Sequence, residues 1–227
     1  MHAALARWCA AAGLGLAGLS LEEARDRQDR AALESALAAL RQQAEQRRND
    51  ATAHYQVALA ASYLAEVALE VRDRPAAKAA AEAGIRAAER AVALQPEVSE
   101  HHRVLGTLCG QVIPANVLTA FRYGECAQRS VQKALELDPK SAKAYLSRGV
   151  GSYYLPPAFG GGVEAAIRDF DKALELDPRL AEAHLWRGIA LRKAGRNAEA
   201  RRALARALEL NPRRVWIKQQ LEKTPAQ

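Results

Sequence analysis

The sequence predicts an all-helical chain built from stacked hairpins, and three observations carry that prediction. The heptapeptide KALELDP occurs twice word for word, at Lys133–Pro139 and Lys172–Pro178, with looser copies at Arg90–Pro96 (RAVALQP) and Arg206–Pro212 (RALELNP). Each copy reads as the last two turns of a helix, stopped by a proline that lacks the backbone N–H needed to continue it. Alanine and arginine abound, β-branched runs of strand length are nearly absent, and aromatics are only 5%, a balance that favours helix over sheet. With 49% hydrophobic residues the chain is able to bury a core, which excludes a disordered polypeptide.

Taken in order, residues 1–20 combine Arg7 with an apolar run from Trp8 to Leu19 and then Ser20. The run is too short to cross a bilayer and suits a secretory leader, with Gly18-Leu19-Ser20 as the small-x-small cleavage site. Export to the periplasm or beyond is therefore the expectation, with the cytoplasm as the alternative. Residues 21–48 carry apolar side chains at helical spacing (Ala24, Leu33, Leu37, Leu40) and are expected to form one long helix, with an interruption allowed, ahead of four repeats at 49–96, 97–139, 140–178 and 179–212. Arg213 to Lys223, with Val215, Ile217 and Leu221, should form a helix that covers the open end of the stack, within a final segment 213–227.

The repeat ends set a register. Ten residues after each terminal proline stands a small residue, Gly106, Gly149 and Gly188, and Ala58 lies ten after Arg48. A small side chain there lets one helix approach its neighbour closely. Successive ends, from Arg48 through Pro96, Pro139 and Pro178 to Pro212, are 48, 43, 39 and 34 residues apart. The extra length goes into longer helices in the first repeat, GQVIPANVL (110–118) in the second and LPPAFGGG (155–162) in the third, the last two at the turn between the helices of a hairpin.

With this register the chain resembles the tetratricopeptide repeat family, bacterial type, over about Asp50 to Pro212. The last repeat carries Gly188, Leu191, Gly195 at the turn, Ala200, Leu204, Ala207 and Pro212 at the family's positions. The resemblance implies a right-handed α-solenoid of antiparallel hairpins and a non-enzymatic protein- or peptide-binding scaffold. It also implies a concave surface lined by first helices, here including Tyr55, Leu59, Tyr63, Arg103, Thr107, Gln111, Leu146, Val150, Tyr153, Tyr154, Leu185, Ile189, Arg192 and Lys193. The family's carboxylate clamp needs Lys or Arg followed four residues later by Asn; Arg103 fits, but Thr107 stands in place of the Asn. The alternative function is a small-ligand-binding accessory subunit of a periplasmic transport system, on architectural similarity alone.

The residues expected to contact a partner are Tyr153, Tyr154, Phe159, Gln111, Asn116, Arg103, Arg148, Arg187 and Arg192. Phe159 either fills the groove between repeats or joins a binding site. Asn116 is expected to cap the helix after its insert. Arg148 and Arg187 stand at equivalent core-facing positions, so their charges need acids such as Asp169, Asp171 or Glu199. His54, His102 and His184 recur at one repeat position, but neighbouring repeats lie about 10 Å apart, too far to share an ion, so hydrogen-bonded packing is expected and a metal is not.

No cofactor, catalytic constellation or nucleic-acid reader is expected. The formal charge of +7 is concentrated between Arg187 and Lys218, where ten basic residues stand against two acids; that suits an acidic protein, nucleic acid or anionic lipid, or, as the expected reading, a solvated face on the terminal repeat. Self-association is left open. Cys9, Cys109 and Cys126 show no metal spacing; Cys109 and Cys126 fall on one hairpin and are expected as buried free thiols, a bridge between them being the alternative.

Overall fold

The computed structural model describes residues 19–115 and 120–226; the proposed leader, Cys9 and Asn116 lie outside them. The described residues form eleven α-helices and no strand: α1 (Leu21–Asp26), α2 (Arg30–Gln46), α3 (Ala51–Glu70), α4 (Arg74–Leu94), α5 (Ser99–Val112), α6 (Ala120–Leu137), α7 (Ala142–Tyr154), α8 (Val163–Leu176), α9 (Ala181–Lys193), α10 (Asn197–Leu210) and α11 (Val215–Glu222). Helices pack in chain order as antiparallel pairs, α3 with α4, α5 with α6, α7 with α8 and α9 with α10. The first helices of successive pairs also touch one another, the arrangement of an α-solenoid.

Helix starts follow local chemistry. Ser20 and Glu23 form a reciprocal capping box, and the side chains of Asp29, Asp50, Asp73 and Ser141 each accept a backbone N–H of the first turn, satisfying donors that lack an intrahelical partner. The segment before the repeats is interrupted, giving α1 and α2. The break falls at Arg27–Asp29, where Gln28 takes φ +56°, and it turns α1 back to pack on both α2 and α3.

The small residues of the repeat register act inside each hairpin. A Cβ on Gly106 would stand 2.7 Å from Val131, one on Gly149 2.5 Å from Phe170, and one on Gly188 2.6 Å from Leu204. Those separations are far below van der Waals contact, so the second helix seats against bare backbone of the first. LPPAFGGG is shaped by the same economy of space: Gly160 and Gly162 have φ +83° and +98°, and a Cβ on Gly161 would lie 2.2 Å from the Leu155 carbonyl oxygen. All three glycines are therefore required by the backbone. Phe159 does not fill a groove: it ends a 3₁₀ turn, Pro157–Phe159, and is 72% exposed.

The core is divided. One cluster spans α1 to α5 around Leu33, Leu64, Val67 and Leu108; others join α7 to α10 around Ile167, Phe170 and Leu191, and α9 to α11 around Leu185, Leu204 and Ile217. Between the halves, the buried cluster of the α6–α7 seam among the described residues is small: Val131, Ala134, Leu135 and Ala144 with Tyr145 against it.

One expectation is corrected outright. Cys109 and Cys126 are not free thiols but form a disulfide between α5 and α6, across Cα atoms 6.0 Å apart. The close antiparallel pairing of the hairpin brings the two Cα atoms into bridging range.

Candidate functional site

The first helices of the C-terminal repeats carry a row of aromatic rings. Tyr153 and Tyr154 end α7, Trp186 lies on α9 and Trp216 on α11. The ring centroids stand 5.0 Å apart for Tyr153–Tyr154, 5.9 Å for Tyr153–Trp186, 6.2 Å for Tyr154–Trp186 and 5.3 Å for Trp186–Trp216, all edge-to-face. That geometry aligns the positive edge of one ring with the negative face of the next. The Lys193 ammonium sits 4.3 Å from the centre of the Tyr153 ring and donates to the Tyr153 carbonyl at 3.4 Å. Tyr154 is 64% exposed, so the row presents an open aromatic edge beside a cation.

The expected arginines and Gln111 are held by internal partners. Arg103 donates two bonds to Glu100, at 2.7 and 2.6 Å, and Tyr55 donates to the same carboxylate at 3.1 Å. Burial works against ionisation of Glu100, yet Arg103 holds it below the usual carboxylate range. A guanidinium already matched to an internal carboxylate is not poised to clamp another. Gln111 donates to the Ser62 carbonyl at 3.1 Å, tying α5 to α3. Arg148 chelates Asp169, its shortest bond 2.6 Å, and lies over the Tyr145 ring; Arg187 donates to Asp171 at 2.6 Å. Arg192 binds the carbonyl and side chain of Gln220 and the hydroxyl of Thr224, pinning the end of α11.

The histidines are packing residues with one shared geometry. His54, His102 and His184 each direct Nε2 at the carbonyl six residues earlier, of Arg48, Pro96 and Pro178, at 3.0, 2.7 and 3.1 Å. A carbonyl only accepts, so Nε2 carries the proton, and each ring closes the turn that enters its repeat.

A second constellation lies where the two ends of the chain meet. Arg214, fully buried, donates to Glu182 at 3.0 Å, to Glu66 at 2.8 Å, to Glu70 and to the Arg25 carbonyl at 3.2 Å. Arg25 adds ion pairs to Asp26 and Glu182 at 2.7 and 3.3 Å and lies over the Tyr63 ring. Asn211 donates to Asp26 at 2.7 Å, Arg213 pairs with Glu23 at 2.7 Å, and Gln28 exchanges bonds with Gln219. The superhelix is thus curled until α1 and α3 touch the α9–α11 end.

Of the basic residues between Arg187 and Lys218, Arg213 and Arg214 take part in this closure. Eight of the ten between Arg187 and Lys218 make a hydrogen bond or ion pair within the chain. Sequence reading missed Trp186, Trp216 and the Arg214 cluster. A signal for the cluster was available: Glu66 and Glu70 lie four apart on a helix whose mean character is apolar, and two such acids call for a buried cation.

Residues 20–155 match the family model described as Regulator of microtubule dynamics protein 1-3, and residues 160–195 and 181–214 match models of the tetratricopeptide repeat. No curated protein matches the chain. Among solved structures, TTC0263, a thermophilic tetratricopeptide repeat protein of Thermus thermophilus, superposes with a TM-score of 0.61 at 19% identity, covering 88% of this chain and 97% of that one. MamA from Desulfovibrio magneticus gives 0.46 at 19% over 85% and 93% of the two chains. YrrB, titled a tetratricopeptide repeat protein with an unusual peptide-binding site, gives 0.44 at 18% over 81% and 98%.

Proposed function

From the premise that the chain belongs to the family described as Regulator of microtubule dynamics protein 1-3, and is built as a tetratricopeptide repeat solenoid, we propose that it is a scaffold that docks a peptide segment of a protein partner on the Tyr153–Tyr154–Trp186–Trp216 face. The repeat family is in general a non-enzymatic scaffold, and the family description concerns microtubule dynamics, a process of protein assembly that supports a role played through protein contacts.

The observation that carries the reading is the exposed aromatic edge. Tyr154 is 64% and Phe159 72% exposed, although both lie within or just beyond a packed first helix. Rigid aromatic rings lose little conformational entropy on binding and dominate interface energetics. Lys193 on the Tyr153 ring favours a segment that presents a carboxylate next to an apolar side chain. Much of the remaining concave surface is already occupied, since Arg103 and Gln111 are spent internally and α1 packs on α3.

The reading is tested by selecting binders from a random peptide display library and titrating them against Tyr154→Ala and Phe159→Ser. Loss of about tenfold in affinity, roughly 1.4 kcal/mol, with an unchanged circular dichroism spectrum supports this face. Peptides that bind both variants as tightly as the parent chain would place recognition elsewhere.

The proposal includes export from the cytoplasm. It is supported by the Cys109–Cys126 bridge, because structural disulfides persist in oxidising compartments. Expression with fractionation, followed by thiol counting on the recovered protein, tests it; a purely cytoplasmic, reduced chain would count against export.

A further inference from the structure

The cluster at the chain ends has more acid than base. Facing one another are Arg25 and Asp26 from α1, Glu66 and Glu70 from α3, Glu182 from α9, and Arg214 at the start of α11, with Tyr63, Gln28, Asn211 and Gln219 as neutral neighbours and the Arg213–Glu23 pair at the rim. Two guanidiniums thus meet four carboxylates. Glu66 and Glu70 are one helical turn apart and take bonds from the same Arg214 nitrogen, an arrangement in which two full negative charges repel with little water to screen them.

The cluster is also a mechanical closure. It binds residues far apart in sequence, 144 positions for Arg214 and Glu70 and 189 for Arg214 and Arg25. Elsewhere the halves are joined through the α6–α7 seam, whose buried cluster among the described residues has four members, three of them from α6, and through α5–α7, where Arg103 and Thr107 meet the Ser147 hydroxyl. A closure of the chain ends together with a seam of small buried cluster is the geometry of a latch and hinge.

We propose that Arg214 latches the solenoid into a closed ring hinged at α6–α7, and that the latch holds while Glu66 and Glu70 keep one proton between them and loosens when that proton is lost. The direction follows from linkage. Burial pushes Glu70 up to about 7 against the pull of Arg214, with Glu66 adding to the rise, and burial raises Glu66 as well. The closed state therefore binds a proton that the opened, hydrated carboxylates release. Its contribution is complete below the ordinary glutamate range and is lost as the pH rises through about 7. Closure is tighter at mildly acidic than at alkaline pH, opposite to the usual carboxylate ion pair. Trp216 follows Arg214 by two residues and lies under its guanidinium at 5.7 Å, so release of the latch also loosens one end of the aromatic row. The latch belongs to the chain itself and does not depend on what docks there.

The test is amide hydrogen exchange on the full chain at pH 6.0 and 8.5, corrected for intrinsic exchange rates and read on peptides covering α1 and α11, with α4 as an internal control. Protection of α1 and α11 should fall by roughly tenfold between pH 6.0 and 8.5, most of it below the Glu70 titration near 7 and little above it, while α4 stays unchanged. Glu70→Gln, a neutral isostere of the protonated acid, should keep the pH 6.0 protection at pH 8.5, and Glu66→Gln should do the same should Glu70→Gln not fold. Wild-type protection that is flat between the two pH values overturns the proposal, as does pH dependence that persists in a folded glutamine variant.

Discussion

Arg214 and Glu70, 144 positions apart in the chain, form an ion pair whose guanidinium has no exposure to solvent and whose carboxylate side chain has 2%. A charge so placed is tolerated only because partners surround it. Arg214→Ala would leave Glu66, Glu70 and Glu182 facing one another with Arg25 as the remaining cation. Removing one partner of a buried pair costs about 3–5 kcal/mol, and urea unfolding should show a loss of that order. Adding Glu66→Gln and Glu70→Gln to the same chain should recover part of it, because most of the loss comes from the stranded negative charges. A loss for Arg214→Ala of under about 1 kcal/mol, the worth of an exposed pair, would show that the cluster is hydrated rather than buried.

Glu182 responds to pH in the opposite sense to Glu70. Burial works against its charge, but Arg214 and Arg25 hold it below the ordinary glutamate value, and Glu100 is held down in the same way by Arg103. For an acid with a depressed folded-state value, the stabilisation is present above the unfolded value and is lost as pH falls through the folded one. Stability should therefore drop as pH falls below the ordinary glutamate value, and a chain carrying Glu182→Gln and Glu100→Gln should show a shallower fall there. An acid limb as steep in the double variant as in the parent would assign the transition to other groups.

How legible this was in the sequence depended on the range of the interaction. Helix ends, repeat register and the glycines at 106, 149 and 188 were readable because prolines, caps and small residues act over one or two turns. The pairing of Arg148 with Asp169 inside one hairpin, and of Arg187 with Asp171 on the helix before it, was foreseeable too, since partners on consecutive helices lie at short sequence distance. The Arg214 cluster was not, because it depends on curvature accumulated along the whole stack. Gln28 at positive φ gives no compositional sign of a break, and Trp186 and Trp216 become neighbours only once α11 is docked on α9. The aromatic row was half visible, as Tyr153 and Tyr154, for the same reason.

Two glycines of α7, two residues apart, should answer substitution with opposite signs. At Gly149 a Cβ would lie 2.5 Å from the Phe170 ring, which is itself fully buried. Gly149→Ala should force the hairpin apart and cost about 1–3 kcal/mol, the range for overpacked cores. At Gly151 nothing lies within 4 Å, so Gly151→Ala should stabilise the helix by up to about 1 kcal/mol through its lower conformational entropy when unfolded. Thermal melts of the two variants side by side check this. A neutral Gly149→Ala would mean that Phe170 has room to move, and the close approach of α7 and α8 would then not explain the small residue in the register.

The Cys109–Cys126 bridge spans 17 residues and links α5 to α6 around the insert between them. Closing a loop of that size restricts the unfolded chain, and the entropic account gives about 3 kcal/mol. Cys109→Ala with Cys126→Ala should lower the stability by that order while leaving the helical content intact, because Val104, Leu108 and Val112 still anchor α5 in the core. The comparison should be made against the oxidised parent, and reduction of the parent should reproduce the loss of the double variant. Agreement between reduced parent and variant would assign the effect to the cross-link itself. A loss confined to the variant would assign it instead to the missing side chain of Cys109, which has 0% exposure.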